Sequence, residues 1–258
     1  RQRQMCIRDS RYDEVRGKKF SAAKPFIVMG VLGIFLLAQP DLGSTVVLFV
    51  ITFGMLFIVG ANFWQFILLI GTGILLFVWL VLAASYRLKR FTGFLEPFKD
   101  PYGTGFQLTN SLMAFGRGEI SGEGLGNSIQ KLDYLPEAHT DFIMAIIGEE
   151  FGFIGILVVV ILLGLLIFRA MKIGRESLML EQRFRGFFAL GISFWIFFQG
   201  FVNLGMALGM LPTKGLTFPL VSYGGSSIII MSATVGILLR IDHENRLQRG
   251  GQARLRDD

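Results

Sequence analysis

The residues best suited to chemistry in this 258-residue chain lie in Leu135-Pro136-Glu137-Ala138-His139-Thr140-Asp141-Phe142, which runs straight into an apolar segment. With Asp133 just upstream, the side chains of Asp133, Glu137, His139 and Asp141 gather at one helix N-terminus. A carboxylate in that place can serve as a general base or hold a divalent cation. The competing reading is architectural: Pro136 restricts the backbone before it, Thr140 or Asp141 caps the helix, and Glu137 and His139 are solvated. The chain has two histidines and one cysteine, Cys6. That excludes a multi-His zinc site, an intramolecular disulfide and a Cys-rich metal centre. The sequence identifies no set of metal ligands.

Three further groups carry polar chemistry. Arg87 and Arg90 stand at i and i+3, on one helical face. Such a pair either snorkels to lipid headgroups or clamps a phosphate or diphosphate through the planar donor fork of Arg. Leu211-Pro212-Thr213-Lys214-Gly215 places one cation, Lys214, between two apolar segments. Beyond it, Ser222-Tyr223-Gly224-Gly225-Ser226-Ser227 either allows close helix packing or leaves irregular backbone lining a cavity, with Ser226 a candidate substrate contact. Inside apolar segments, Gln199 and Asn203 share one face, which suits interhelical hydrogen bonding, and Glu149-Glu150 lie two turns into a helix where half-solvation at an interface is expected. Gly122-x-Gly124-x-Gly126 follows no strand and is not read as a phosphate loop.

The elements that position these residues are membrane helices. Hydrophobic residues make up 52% of the chain and charged residues 17%, too little charge for a soluble domain of this size. The fold class is therefore all-α, a polytopic transmembrane helical bundle. Six apolar segments, at 22–39, 43–60, 62–84, 142–168, 187–210 and 217–240, approach the ~20 residues that a bilayer requires. Lys18, Lys19 and Lys24 flank the start of the first, Arg169 to Arg185 fill the fourth connection, and Arg240 to Arg256 run from the end of the sixth. With six spans these regions share one side, the cytoplasm. The net charge of +6 thus marks orientation, not nucleic-acid binding. Residues 85–140 then form a long, Gly-rich outward loop, in which Phe91, Phe94 and Phe98 predict a short interfacial helix and Gln107 to Phe115 a second. Residues 1–14 have neither an apolar core nor a helical pattern and read as a non-native leader, and 246–258 as a cytoplasmic tail. A start at Arg1 instead of Met makes this the expected C-terminal part of a longer protein.

Four strings in this order are similar to the SEDS family (shape, elongation, division, sporulation). They are AQPDLGST (38–45), YRLKRFTGFLEPFKDPYGTGFQL (86–108), GLGNSIQKLDYLPEAHTDFIMAIIGEEFGFIG (124–155) and LPTKGLTFPLVSYGGSS (211–227). The resemblance covers residues 15–245 and its motifs are highly specific. Lys214-Gly215-Leu216-Thr217 favours the family's division branch over its elongation branch. Gly118-Glu119-Ile120-Ser121 departs from an aromatic, Gly-rich string usual in the family, which leaves local loop contacts open. Family members have ten spans, so the chain resembles the last six.

The resemblance implies a peptidoglycan glycosyltransferase of the bacterial inner membrane that polymerises lipid II at the division septum. It implies Asp141 as the catalytic residue. Arg87, Arg90, Asp133, Glu137, His139, Lys214 and Ser226 would contact substrate, and Mg²⁺ or Mn²⁺ would assist. Implied partners are lipid II, a cognate class B penicillin-binding protein and other divisome membrane proteins. Two alternatives stay open, a lipid II flippase and a division scaffold.

Overall fold

A computed structural model describes residues 23–39, 42–60, 63–82, 93–103, 105–213 and 215–257, and all regular structure among them is helical. Arg87, Arg90, Phe91 and Lys214 lie outside the described residues, as do the leader 1–14 and the side chains of Asp133 and of the terminal residues 251–258. The chain forms two compact units, residues 1–83 and 84–258. The first contains α1 (Ala23–Ala38), α2 (Leu42–Val59) and α3 (Phe63–Leu82). Each is almost wholly apolar, and exposed Phe35, Phe57 and Leu75 mark surfaces that suit lipid and not water.

The second unit contains α4 (Phe106–Gly118), α5 (Ile143–Met179), α6 (Arg183–Ala207) and α7 (Gly225–Asp257). Three helices among the described residues are long and apolar enough to cross a membrane: Ile143–Met179, Arg183–Ala207 and Gly225–Gly250. α5 and α6 pack along one another, and α7 packs on both. Ala170, Ile173, Ala189, Ile192, Ile196, Met231 and Leu238 fill the core between them. Small residues at these contacts let the backbones approach closely, which is how helices associate in lipid. Exposed Leu162, Leu165 and Phe168 face away from that core.

The described parts of the 85–140 range, 93–103 and 105–140, contain helical turns as well as loop. Of the helix predicted on Phe91, Phe94 and Phe98, Phe91 lies outside the described residues; 93–95 are helical, Glu96 bends, and Pro97–Lys99 form a 3₁₀ turn, so the helix does not run on through Phe98. Pro97 lacks the N–H that a continuing helix would need. α4 runs longer than Gln107 to Phe115, and Gln130–Tyr134 forms one π-helical turn. α7 starts at Gly225 and not at 217, because Pro219 and a left-handed Leu220 (φ 63°) hold 217–224 in irregular backbone.

α5 is broken at Gly152, whose φ of 64° and ψ of −162° are open only to glycine. The break separates Glu149 O from Phe153 N and Glu150 O from Ile154 N, pairs that an unbroken helix would join. Residues 119–124 supply the replacements. Glu123 N donates to Glu149 O (3.0 Å) and Gly124 N to Glu150 O (3.0 Å), while Phe153 N donates to Glu119 O (2.9 Å) and Ile154 N to Ile120 O (3.2 Å). Irregular backbone is tolerated at membrane depth when protein satisfies it in this way. At the same junction Gly118 passes so close to α5 that a Cβ would sit 1.8 Å from Gly148 O.

Candidate functional site

The site is built around the turn that leads into α5. Leu135, Ala138 and Phe142 point inward and bury against Ala114, Ala145, Ile146 and Ala207, while Pro136, Glu137 and His139 are exposed. Apolar burial thus fixes one side of the turn and leaves Glu137 and His139 on its exposed side. Glu137 has φ 58°, rare for a residue with a Cβ, and its carbonyl accepts from the amides of Thr140 (3.2 Å), Asp141 (3.1 Å) and Phe142 (3.2 Å). Convergence of three donors on one oxygen offsets the local strain. Thr140 Oγ1 donates to Glu137 Oε2 at 2.6 Å. The expected cap position is corrected: Phe142 occupies it, and both Thr140 and Asp141 lie within the preceding turn.

Three consecutive carbonyls of this turn are held from outside. Tyr223 N donates to His139 O at 2.9 Å. Ser222 Oγ donates to Thr140 O at 2.5 Å and accepts from Phe218 N at 2.6 Å. Asn203 Nδ2 donates to Asp141 O at 2.8 Å and also to Leu216 O. One helical turn earlier on α6, Gln199 Nε2 donates to Thr217 O at 2.9 Å. Thr217 Oγ1 and Ser227 Oγ lie 3.2 Å apart, which ties the same segment to the start of α7. The interhelical role read for Gln199 and Asn203 is therefore refined, because both reach backbone carbonyls of irregular segments.

Asp141 is half-buried, and its Oδ2 lies 3.3 Å from where a Cβ on Gly215 would stand. Gly215 lets the backbone pass directly beside the carboxylate, and it follows Lys214 in the chain. Ser226 is exposed in the first turn of α7. Among the described residues no three of His, Cys, Asp and Glu converge on a point that could hold a metal ion. Glu137, His139 and Asp141 therefore share one turn without forming a metal cage.

Below the turn lies a buried carboxylate that sequence placed at a half-solvated interface. Glu149 is fully buried. It accepts from Ser128 Oγ at 2.5 Å, Ile129 N at 3.1 Å and Gln130 N at 3.3 Å, and faces Arg117 Nη1 at 3.6 Å. Glu150 pairs with Lys131 Nζ at 2.5 Å. The two acidic residues thus hold the segment 128–131 on α5. Gly122, Gly124 and Gly126 all have positive φ, so the glycine string that is not a phosphate loop serves this docking.

α4 joins these parts. Asn110 Nδ2 donates to Tyr134 O (2.9 Å), Thr109 Oγ1 to Pro97 O (3.0 Å) and Ser111 Oγ to Ala207 O (2.7 Å), the last capping an orphan carbonyl at the end of α6. Successive residues on a helix point about 100° apart, so three polar neighbours reach three directions. Sequence reading missed these residues and Ser128, and named Ser222 only within the 222–227 string, without its bond to the turn. The one available signal was a polar triplet buried on a mainly apolar helix.

Comparison with known proteins supplies the context. A protein of Haemophilus influenzae named "Probable peptidoglycan glycosyltransferase FtsW" is 87% identical over 248 residues, covering 96% of this chain and 63% of its own length. One of the same name from Pasteurella multocida is 83% identical with the same coverage. The chain thus spans less than two thirds of these curated relatives. The solved structure described as "Structural coordination of polymerization and crosslinking by a peptidoglycan synthase complex" matches with a TM-score of 0.71 at 28% identity, over 91% of this chain and 66% of the other. The Thermus thermophilus rod shape determining protein RodA matches with a TM-score of 0.59 at 26% identity, over 91% of this chain and 61% of its own. The fold is that of the SEDS proteins, an all-helical polytopic membrane fold. A family model covering FtsW, RodA and SpoVE, described as "Cell cycle protein", matches residues 6–247, and the chain belongs to that family.

Proposed function

We propose that the protein containing this chain is a peptidoglycan glycosyltransferase that polymerises lipid II, with Asp141 as the general base. The observation carrying this reading is the fixed place of Asp141, with its carbonyl held by Asn203 and its carboxylate against Gly215 of the segment that contains Lys214. The names of the relatives from Haemophilus influenzae and Pasteurella multocida support the reaction class.

A lipid diphosphate donor already carries a good leaving group, so one base and local positive charge suffice. Asp141 takes the proton of the acceptor sugar hydroxyl as that oxygen bonds to the anomeric carbon of the donor. The bond from that carbon to the diphosphate breaks, and the lipid diphosphate leaves with the electron pair. A single in-line displacement inverts the α-linked donor to a β-linked glycan. Arg87, Arg90 and Lys214 supply charge for the departing diphosphate, and Asp133, Glu137, His139 and Ser226 contact the substrate. The described residues do not fit a closed cation cage. We assign Mg²⁺ or Mn²⁺ to the substrate's own diphosphate, as is common for Mg²⁺, and no step passes through it.

The site of action is the outer face of the bacterial inner membrane at the division septum, beside other divisome membrane proteins. A cognate class B penicillin-binding protein is the partner, in keeping with the neighbour described as a peptidoglycan synthase complex. A flippase would need polar residues in the spans to line a lipid path. Gln199 and Asn203 are instead committed to Thr217, Leu216 and Asp141 carbonyls, which weakens it.

The test is reconstitution of the full-length protein with lipid II, a divalent cation and its transpeptidase partner. Asp141→Asn should lower glycan synthesis about 10³-fold or more while thermal stability and partner binding persist. Full activity in that variant would sink the assignment of the base, and transport of lipid II without polymerisation would favour the flippase.

A further inference from the structure

We infer that Asn203 is a positioning residue for the base, an amide clamp that fixes the Asp141 turn against the Leu216 segment; this rests on the proposed glycosyltransferase reading. Asn203 is fully buried on α6, and an Asn side chain has only two donor hydrogens. Both go to main-chain carbonyls, of Asp141 at 2.8 Å and of Leu216. Those carbonyls belong to segments far apart in sequence, the turn that delivers the carboxylate and the strand of chain that follows Lys214.

The leftover atom fixes the orientation of the amide. Asn203 Oδ1 is buried without a hydrogen-bond partner among the described residues. Flipping the amide would set that oxygen against two carbonyl oxygens and strand both, so the nitrogen must face them. A buried group keeps an unsatisfied acceptor only when its other contacts outweigh the loss. The site therefore selects two N–H donors at one point, and not polarity in general. Hydrophobic residues of equal size would fill the volume without joining the segments. Aspartate would fill it equally well but present acceptors to acceptors.

The catalytic consequence is geometric. A base displaced by about 1 Å loses rate steeply while substrate contacts elsewhere persist. Loosening the clamp should therefore act on kcat and not on KM.

The experiment uses the full-length protein in proteoliposomes with lipid II, comparing wild type, Asn203→Asp and Asn203→Ala. We expect kcat to fall about 100-fold in Asn203→Asp and about tenfold in Asn203→Ala, with KM within about twofold of wild type. Hydrogen–deuterium exchange on the same proteins should show faster exchange in 139–142 and 216–223 together, with 165–175 of α5 unchanged. A kcat in Asn203→Asp within about twofold of wild type, or unchanged exchange in both segments, overturns the clamp. A purely volume-filling role predicts the opposite order, with the isosteric Asp milder than Ala, and that order also overturns it. Should Asn203→Asp fail to accumulate, Asn203→Ser, which keeps one donor, carries the same comparison. The exchange measurement needs no turnover. An inactive wild type with coupled exchange in the variants would sink the glycosyltransferase reading and leave the clamp standing.

Discussion

The two ends of the second unit are held by different physics. Around Asp141, polar side chains buried among apolar ones bond to the main chain: Asn203 and Ser222 to the turn, Gln199 to Thr217, Glu149 to Ile129 and Gln130, and Ser111 to Ala207. At the far end, where the second half of α5, the start of α6 and the end of α7 meet, charged side chains pair with one another. Arg185 and Arg240 face Glu244, Arg169 and Arg246 face Asp242, and Arg249 faces Glu176. The helices there are regular, so their backbones satisfy themselves and side chains are left to pair at the surface. Near Asp141 the backbone leaves the helix, and every freed N–H and C=O needs a partner. Each end has exceptions: Asn245 at the far end, buried and bonded to Ser177 and the Ile173 carbonyl, and the Lys131–Glu150 and Arg117–Glu149 pairs near the site. The comparison teaches that the site end is specified by backbone contacts, which few substitutions preserve, and the far end by exchangeable charges.

The sharpest way to break that contrast is Gly118→Ala. Its Cβ would overlap Gly148 O, and main chain cannot swing aside as a side chain can. We expect a loss of about 3 kcal/mol or failure to fold, read by thermal unfolding in detergent. A stable variant would show that the α4–α5 junction is looser than described. Next comes Glu149→Leu, which strands Ser128 and two amides and leaves Arg117 without its buried partner. Roughly 2–3 kcal/mol should be lost, with faster exchange confined to 128–131. Wild-type stability here would mean that the buried carboxylate is dispensable. At the far end, Arg185→Ala should cost about 1 kcal/mol or less, shrinking further as salt is raised, because this pair is partly exposed and Arg240 also serves Glu244. A cost as large as that of Glu149→Leu would erase the distinction between the two ends.

Much of the fold was legible in the sequence because membrane helices announce themselves through length and apolarity, which depend on local composition alone. The helix over Gln107 to Phe115 was legible for the same reason, whereas the turn carrying Asp141 was read as the helix cap, and only the structure shows its buried side, Leu135, Ala138 and Phe142. The extension of a helix as far as Phe98 was misread because spacing was weighed above Pro97. Glu149 was misjudged because depth along a helix does not reveal what folds over it, here 128–130. The family strings brought Asp141, Lys214 and the substrate contacts into one hypothesis, yet gave no geometry for them.

By itself, then, the sequence determined an all-helical membrane chain, its family, and the residue types available at the mouth of α5. Only the tertiary structure decided that α5 breaks at Gly152 and is mended by 119–124, and that Glu149 is sealed. It also decided that Asn203 joins Asp141 to Leu216. The reason is range. Apolar periodicity and proline act within a few residues and can be read along the chain. Hydrogen-bond partners of irregular backbone are chosen across it, by whichever donor the packed helices bring within about 3 Å.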